Sequence, residues 1–164
     1  MPRIESPAPE SLPENLRPYL ADSFYGVLAN RPEILAAWAE LDKAFFDPSS
    51  RLPGELKEEG RRSLAQDIGC VLCASYGEPQ QAELDPRHAL VVALADQIAM
   101  DHRQIDDSTF EALREEFDEA EIVELLSWLC FKLGANVFGA LMSFDPATDA
   151  QKEAYAEVVA ADAS

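Results

Sequence analysis

From Asp118 onward the chain returns an apolar residue every three or four positions: Ile122, Leu125, Leu126, Leu129, Leu133, Val137, Phe138 and Leu141. A repeat of this period over about six turns fits an α-helix with one side in a core and fits no strand. Trp128, Cys130 and Phe131 add apolar surface on other sides of the same helix. A helix that is apolar on more than one side packs on its own chain and on a partner, so self-association is expected. Cys130, inside the run Leu129-Cys130-Phe131, reads as an inert core thiol.

The rest of the chain obeys the same period. Leu16, Leu20, Phe24 and Val27 or Leu28 share a face from about Leu16 until Asn30-Arg31-Pro32 breaks the pattern. Pro32 opens a second helix, with Ile34, Leu35, Trp38, Leu41 and Phe45 expected to point inward. A third helix is predicted from Glu55 to Ile68, with Gly69 as the residue that ends it. A short helical segment follows from about Cys70 and fades at Gly77-Glu78-Pro79. Asp85-Pro86 opens an apolar helix to about Met100, and Ser108-x-x-Glu111 reads as the capping box of a short helix to Phe117. Asp118-x-x-Glu121 and Thr148-x-x-Gln151 read as the boxes of the long helix and of a last, Ala-rich one. No segment alternates with period two, so the fold class expected is all-α, with about six to seven helices. Five of the eleven prolines lie within the first eighteen residues. Residues 1–15 are therefore expected as a Pro-rich arm lying extended on the surface, and 16–164 as a single helical domain.

Charge limits the partners. The 164 residues carry 31 acidic side chains against 13 Lys and Arg, a formal net charge of −18. Phosphate backbones and anionic lipid surfaces are repelled by such a field, so neither nucleic acid nor membrane is expected as a partner. With 48% hydrophobic residues the chain can still build a core. The longest uninterrupted apolar run, Ala89 to Ala95, is far short of the ~20 residues of a bilayer span. No apolar leader follows Met1, and a cytoplasmic protein is expected.

The strongest chemical signal is Gly69-Cys70-Val71-Leu72-Cys73. Two intervening residues put both thiols on one helical turn, close enough to close a small disulfide ring. A thiolate in a first helical turn is stabilised by free amides and the helix dipole, and thiolate is the nucleophile of peroxide reduction and of disulfide exchange. Two buried core cysteines would show the same pattern. Half of a zinc site would also show it. It would need two further ligands, and thirteen residues separate His88 from His102, against three to five in a finger. No metal and no cofactor is assigned.

Glu58 precedes Cys70 by twelve residues, across Glu58-Glu59-Gly60-Arg61-Arg62-Ser63-Leu64-Ala65-Gln66-Asp67-Ile68-Gly69-Cys70. Here the chain resembles the alkylhydroperoxidase D-like branch of the carboxymuconolactone decarboxylase family, in which a Glu, an amphipathic helix often containing Ala-Gln, and Gly-Cys-x-x-Cys follow at this spacing. Asn30-Arg31-Pro32-Glu33-Ile34-Leu35, Ala93-Leu94-Ala95-Asp96-Gln97-Ile98-Ala99, Ile105-Asp106-Asp107, Ala120-Glu121-Ile122-Val123-Glu124-Leu125 and Gly134-Ala135-Asn136 are similar to further stretches of that family in the same order. The resemblance covers about residues 16–144. It implies an all-helical fold assembling as a dimer, trimer or hexamer, and a thiol-dependent peroxidase or disulfide reductase. Cys73 would be the peroxidatic cysteine, Cys70 its resolving partner and Glu58 the carboxylate of a proton relay. The partners implied are a small hydroperoxide or a protein disulfide, and a thiol reductant protein.

The match departs at one position. Peroxidases of this family carry a His four residues after the second cysteine, and that position is Gly77 here. Tyr76 is adjacent, but a phenol with a pKa near 10 is a poor relay at neutral pH. His88 could fold back toward the thiols or lie on the surface at the start of its helix, while His102 sits at a polar helix exit. The connection between Cys73 and Asp85 is shorter than usual for the family. Lys57, Arg61 and Arg62 either offset local negative charge or pair with Glu55, Glu58 and Glu59 on a solvated face. Three readings stay open: a C-x-x-C oxidoreductase, a non-catalytic or redox-sensing helical oligomer, and a decarboxylase acting on a lactone acid. The two cysteines and the net charge count against the last.

Overall fold

A computed structural model of the chain describes residues 2–80 and 85–161. Eight α-helices occur among them: α1 (Ser23–Leu28), α2 (Pro32–Ala44), α3 (Gly54–Ile68), α4 (Val71–Ala74), α5 (Pro86–Asp101), α6 (Asp107–Glu116), α7 (Glu119–Met142) and α8 (Asp149–Ala161). The described residues contain no strand, so the fold is all-α. This is at least one helix more than the expected six to seven, and the two shortest, α1 and α4, fall where a helix up to Leu28 and a short segment from Cys70 are expected. Residues 81–84, part of the short connection between Cys73 and Asp85, and residues 162–164 lie outside the described residues.

Local signals place most of the boundaries. Asp118 and Glu121 form a reciprocal capping box at the start of α7, and Thr148 and Gln151 form another before α8. Asp85 accepts the His88 amide ahead of Pro86, and Gly69 ends α3 at φ 73°. Two expectations fail locally. The helix expected from Leu16 is split, because Pro18 holds Glu14–Ala21 in a 3-10 turn and Asp22 then caps α1 by accepting the Phe24 and Tyr25 amides. The cap of α6 is Asp106, not Ser108, because the Asp106 carboxylate takes both the amide and the hydroxyl of Ser108.

The core forms around α3, which packs chiefly on α5 and α7 and also receives α4 and α8. Leu56 and Leu64 of α3 meet Val91, Leu94 and Ile98 of α5 and Ile122, Leu125, Trp128 and Leu129 of α7 in one apolar cluster. A second cluster gathers Leu12, Leu16, Phe24, Leu35 and Phe144 around Cys70 and Leu72. Leu12 thus draws the N-terminal arm into the core beside the C-x-x-C segment. Arg3 N–H donates to the Met142 carbonyl at 2.8 Å and ties the start of the arm to the end of α7. On α2, Leu35 and Ala39 are buried, but Ile34 and Leu41 face outward, contrary to expectation. Cys130 is exposed as well, because the buried side of α7 is set by Leu125, Trp128, Leu129 and Asn136. By length and apolar content α7 also resembles a membrane span; here its buried side packs on α3.

Polar groups set the helix positions as much as the apolar ones. Lys57 is fully buried; its ammonium donates to the Phe45 carbonyl, to Ser50 Oγ at 2.7 Å and to Glu124 of α7 at 3.3 Å. Trp128 Nε1 donates to the Lys57 carbonyl at 2.7 Å. Removing one partner of a buried ion pair strands the other, at a cost of about 3–5 kcal/mol. Lys57→Met is therefore expected to lower unfolding stability by about 3 kcal/mol, read as a lower urea midpoint with an unchanged slope. An unchanged midpoint would show that this buried ammonium does not hold α3 to α7.

Candidate functional site

The turn after Gly69 delivers both cysteines to one place. Cys70 is the N-cap of α4 and Cys73 lies in its single turn, with Cα atoms 5.2 Å apart and a disulfide between the sulfurs. Cys73 N–H donates to Cys70 Sγ at 3.3 Å. The two sulfurs differ in access. Cys70 is fully buried in the second apolar cluster, whereas Cys73 lines a cavity of about 130 Å³. Gly139 of α7 backs the pair: a Cβ there would stand 2.5 Å from Cys70 Sγ and 3.3 Å from Cys73 Sγ. Only glycine lets α7 pass this close to the disulfide.

Glu58 is 1% exposed and both of its oxygens are engaged. Oε2 accepts from Arg61 Nε at 2.7 Å, and Oε1 accepts from the Tyr155 hydroxyl at 2.5 Å. Arg61 Nη1 continues to the Cys73 carbonyl at 2.9 Å, so Glu58 reaches the cysteine segment through Arg61. Tyr155 and Arg61 line the cavity that Cys73 lines. The fold thus brings Cys70, Cys73 and Glu58 into one region, joined by residues that carried no signal in the C-x-x-C motif. The basic residues of α3 make i,i+3 pairs, Arg61 with Glu58 and Arg62 with Glu59, and these pairs are largely buried rather than on a solvated face.

Neither histidine joins the site. His88 is partly exposed and places Nδ1 2.8 Å from Asp85 Oδ1 at the start of α5, while His102 lies exposed in a 3-10 turn. Gly77, where a relay His was sought, has φ 130°, a conformation that side chains rarely adopt, and the Arg62 side chain lies against it. The region is occupied by tyrosines instead, with the rings of Tyr76 and Tyr155 4.9 Å apart and the Arg61 guanidinium over both. Tyr155 was visible in the sequence as a lone aromatic in an Ala-rich helix. Its partner Glu58 lies 97 residues away, which no local pattern reveals.

The rest of the cavity lining is aromatic and polar. Phe24, Tyr25 and Trp38 line it together with Asp22, Asp42, Lys132 and Asn136. Asp42 is held by Lys132 Nζ and by the Tyr25 hydroxyl, each at 2.5 Å. Among the described residues no group of three or more His, Cys, Asp or Glu side chains is placed to hold a metal ion.

Burial pushes the Tyr25 phenol far above its ordinary value of 10, helped by Asp42. Burial also raises Tyr76 to about 12, with Asp22 adding to the rise and Arg61 opposing it. Tyr155 is raised well above 10 by burial and by Glu58, against the pull of Arg61. Native phenols that keep protons which the unfolded chain releases make stability fall with rising pH. This contribution is intact below the unfolded value of 10.0 and is lost as pH climbs toward about 12. Tyrosinate absorbance is therefore expected to show these three phenols still protonated in the folded chain at about pH 11 and released together on unfolding. Gradual ionisation of all tyrosines near pH 10 without unfolding would contradict this placement.

No family model, curated protein or solved structure matches the chain.

Proposed function

We propose that the chain is a thiol–disulfide oxidoreductase of the alkylhydroperoxidase D-like kind, in which Cys73 meets the oxidant and Cys70 resolves it. The observation that carries this reading is the unequal access of the two linked sulfurs: Cys73 lines a cavity and Cys70 lies buried behind it. With a hydroperoxide, the Cys73 thiolate attacks one peroxide oxygen, the O–O bond breaks, and the alkoxide leaves with a proton as an alcohol. The Cys70 thiol then condenses with the Cys73 sulfenic acid, releasing water and forming the disulfide. A thiol reductant protein returns two electrons and two protons. A partner's disulfide would be attacked by the Cys73 thiolate, which releases one partner thiol; the Cys70 thiolate, stabilised by the Cys73 amide, then attacks Cys73 Sγ and releases the second.

Proton movement is assigned to Tyr155 and Glu58. A phenol hydrogen-bonded to a carboxylate passes a proton without ionising: it takes one on its oxygen as it gives its own to Glu58. The Cys73 proton can follow this route to Glu58 and return to the departing alkoxide. This replaces the imidazole missing at position 77, and a high phenol pKa is no obstacle to concerted transfer.

The outer side of α7 supports assembly from copies of this chain. Val123, Ser127, Cys130, Gly134, Val137 and Leu141 follow one another at alternating steps of four and three residues, and all six are exposed. This spacing is that of a helix–helix seam. Val137→Glu, at the seam and outside the cavity, is expected to reduce the sedimenting species to the monomer, while a wild type that already sediments as a monomer would refute self-assembly.

The catalytic test is peroxide consumption with a dithiol reductant. Cys73→Ser is expected to abolish turnover, and Cys70→Ser to leave one round followed by irreversible oxidation. Tyr155→Phe and Glu58→Gln are expected to slow turnover by about 10²-fold while the fold persists. Equal activity in wild type and both cysteine variants would remove the thiol reading. Loss of two thiols to peroxide without turnover would assign the pair to redox sensing instead.

A further inference from the structure

Two residues that line the cavity beside Cys73 each carry a buried donor without a hydrogen-bond partner. Arg61 commits Nε to Glu58 and Nη1 to the Cys73 carbonyl, but its Nη2 is buried without a partner. Asn136, on the buried side of α7 and 1% exposed, leaves Nδ2 in the same condition. Both residues line the cavity. A buried donor left unmade is unfavourable, and buried polar groups in folded proteins are nearly always satisfied. Two such donors on residues that line one cavity, together with the aromatic rings of Phe24, Tyr25 and Trp38, describe a site built for an acceptor carried on an apolar body.

Volume and charge narrow the ligand. A space of about 130 Å³ is close to that of engineered cavities, about 150 Å³, that hold one benzene. The lining charges are Asp22, Asp42, Arg61 and Lys132. Lys132 is paired with Asp42 and Arg61 with Glu58, and among the described residues no cation pairs directly with Asp22. The remaining charge is negative, which disfavours a carboxylate or phosphate.

We propose that this cavity binds a small neutral aromatic molecule bearing a carbonyl-type oxygen, with that oxygen accepting from Arg61 Nη2 and Asn136 Nδ2. The inference goes beyond the redox reading and requires no electron transfer.

The test is calorimetric titration of the full chain with three probes of similar body: acetophenone, ethylbenzene and benzoate. Acetophenone is expected to bind at least tenfold more tightly than ethylbenzene, which lacks the oxygen, and more tightly than benzoate, which carries a charge. Asn136→Leu keeps the volume and removes a donor; it is expected to reduce the preference for acetophenone over ethylbenzene several-fold. Equal affinity for acetophenone and ethylbenzene, tighter binding of benzoate, or no binding of any probe would overturn the proposal, the last meaning that water alone fills the space. The wild-type comparison decides the matter even if the Asn136 variant does not fold. Because no probe is an oxidant, a protein inert toward peroxide can pass this test, and an active peroxidase can fail it.

Discussion

Four charged side chains on one helix, Lys57, Glu58, Glu59 and Arg61, are almost withdrawn from water, and the rest of the molecule is arranged around satisfying them. Taking each from water costs several kcal/mol unless partners arrive with good geometry. The partners come from everywhere α3 touches: Glu124 of α7 for Lys57, Tyr155 of α8 for Glu58, the backbone N–H of Gln80 for Glu59, and the Cys73 carbonyl for Arg61. Such pairs add little net stability over a hydrophobic core of equal volume. Their effect is positional, since an apolar helix could slide or rotate among neighbours, whereas a helix with four buried charges loses a partner for each shift. The same bonds place the Cys73 backbone and the Tyr155 hydroxyl relative to Glu58, so the element that organises the fold also organises the candidate site.

This arrangement bears on the difficulty set by the net charge of −18. A thiolate in a strongly acidic protein is disfavoured by the long-range field, but charges beyond about 8–10 Å are screened at physiological salt. What remains is local. Beside Cys73 the lining charges are the Arg61 guanidinium, held at the backbone by its Nη1, and the Lys132 ammonium, each with a carboxylate partner, and the Asp22 carboxylate. Helix α4 spans only Val71–Ala74, so few aligned peptides add to the field at its start. The amide of Cys73 is spent on Cys70 Sγ, which favours negative charge on the buried sulfur over the one that lines the cavity.

Signals confined to a few adjacent residues were legible in the sequence. The boxes at Asp118 and Thr148, the Gly69 terminus and the Asp85-Pro86 start each act within one helical turn and survive folding. Where two local rules competed, the sequence pattern misled: Asp106 outcompetes Ser108 as a cap because a carboxylate is the stronger acceptor, and Pro18 divides an apolar period that looks continuous. Helix faces were harder, since Ile34, Leu41 and Cys130 fit an apolar stripe yet lie outside, and which side is buried depends on neighbours distant in sequence. The C-x-x-C pair and Glu58 were legible as residues. The route joining them was not, because charges spaced along α3 look the same whether they face water or distant partners.

Gly77 shows how the backbone after the cysteines limits what can stand beside them. With φ at 130°, a side chain there would be strained, and the Arg62 guanidinium already lies alongside the backbone. The chain leaves α4 within one turn of Cys73, so no further α4 helical turn exists to carry an imidazole back toward the sulfur. The end of the cysteine segment is covered from the other end of the sequence. Ala147 N–H donates to Ser75 Oγ at 2.8 Å, pinning the start of α8 to the end of the cysteine segment. Two turns later α8 lays Tyr155 against Tyr76 and onto Glu58. An early end to one helix therefore leaves room for the closing helix to pack across it, and the hydroxyl that reaches Glu58 comes from α8 and not from the C-x-x-C segment.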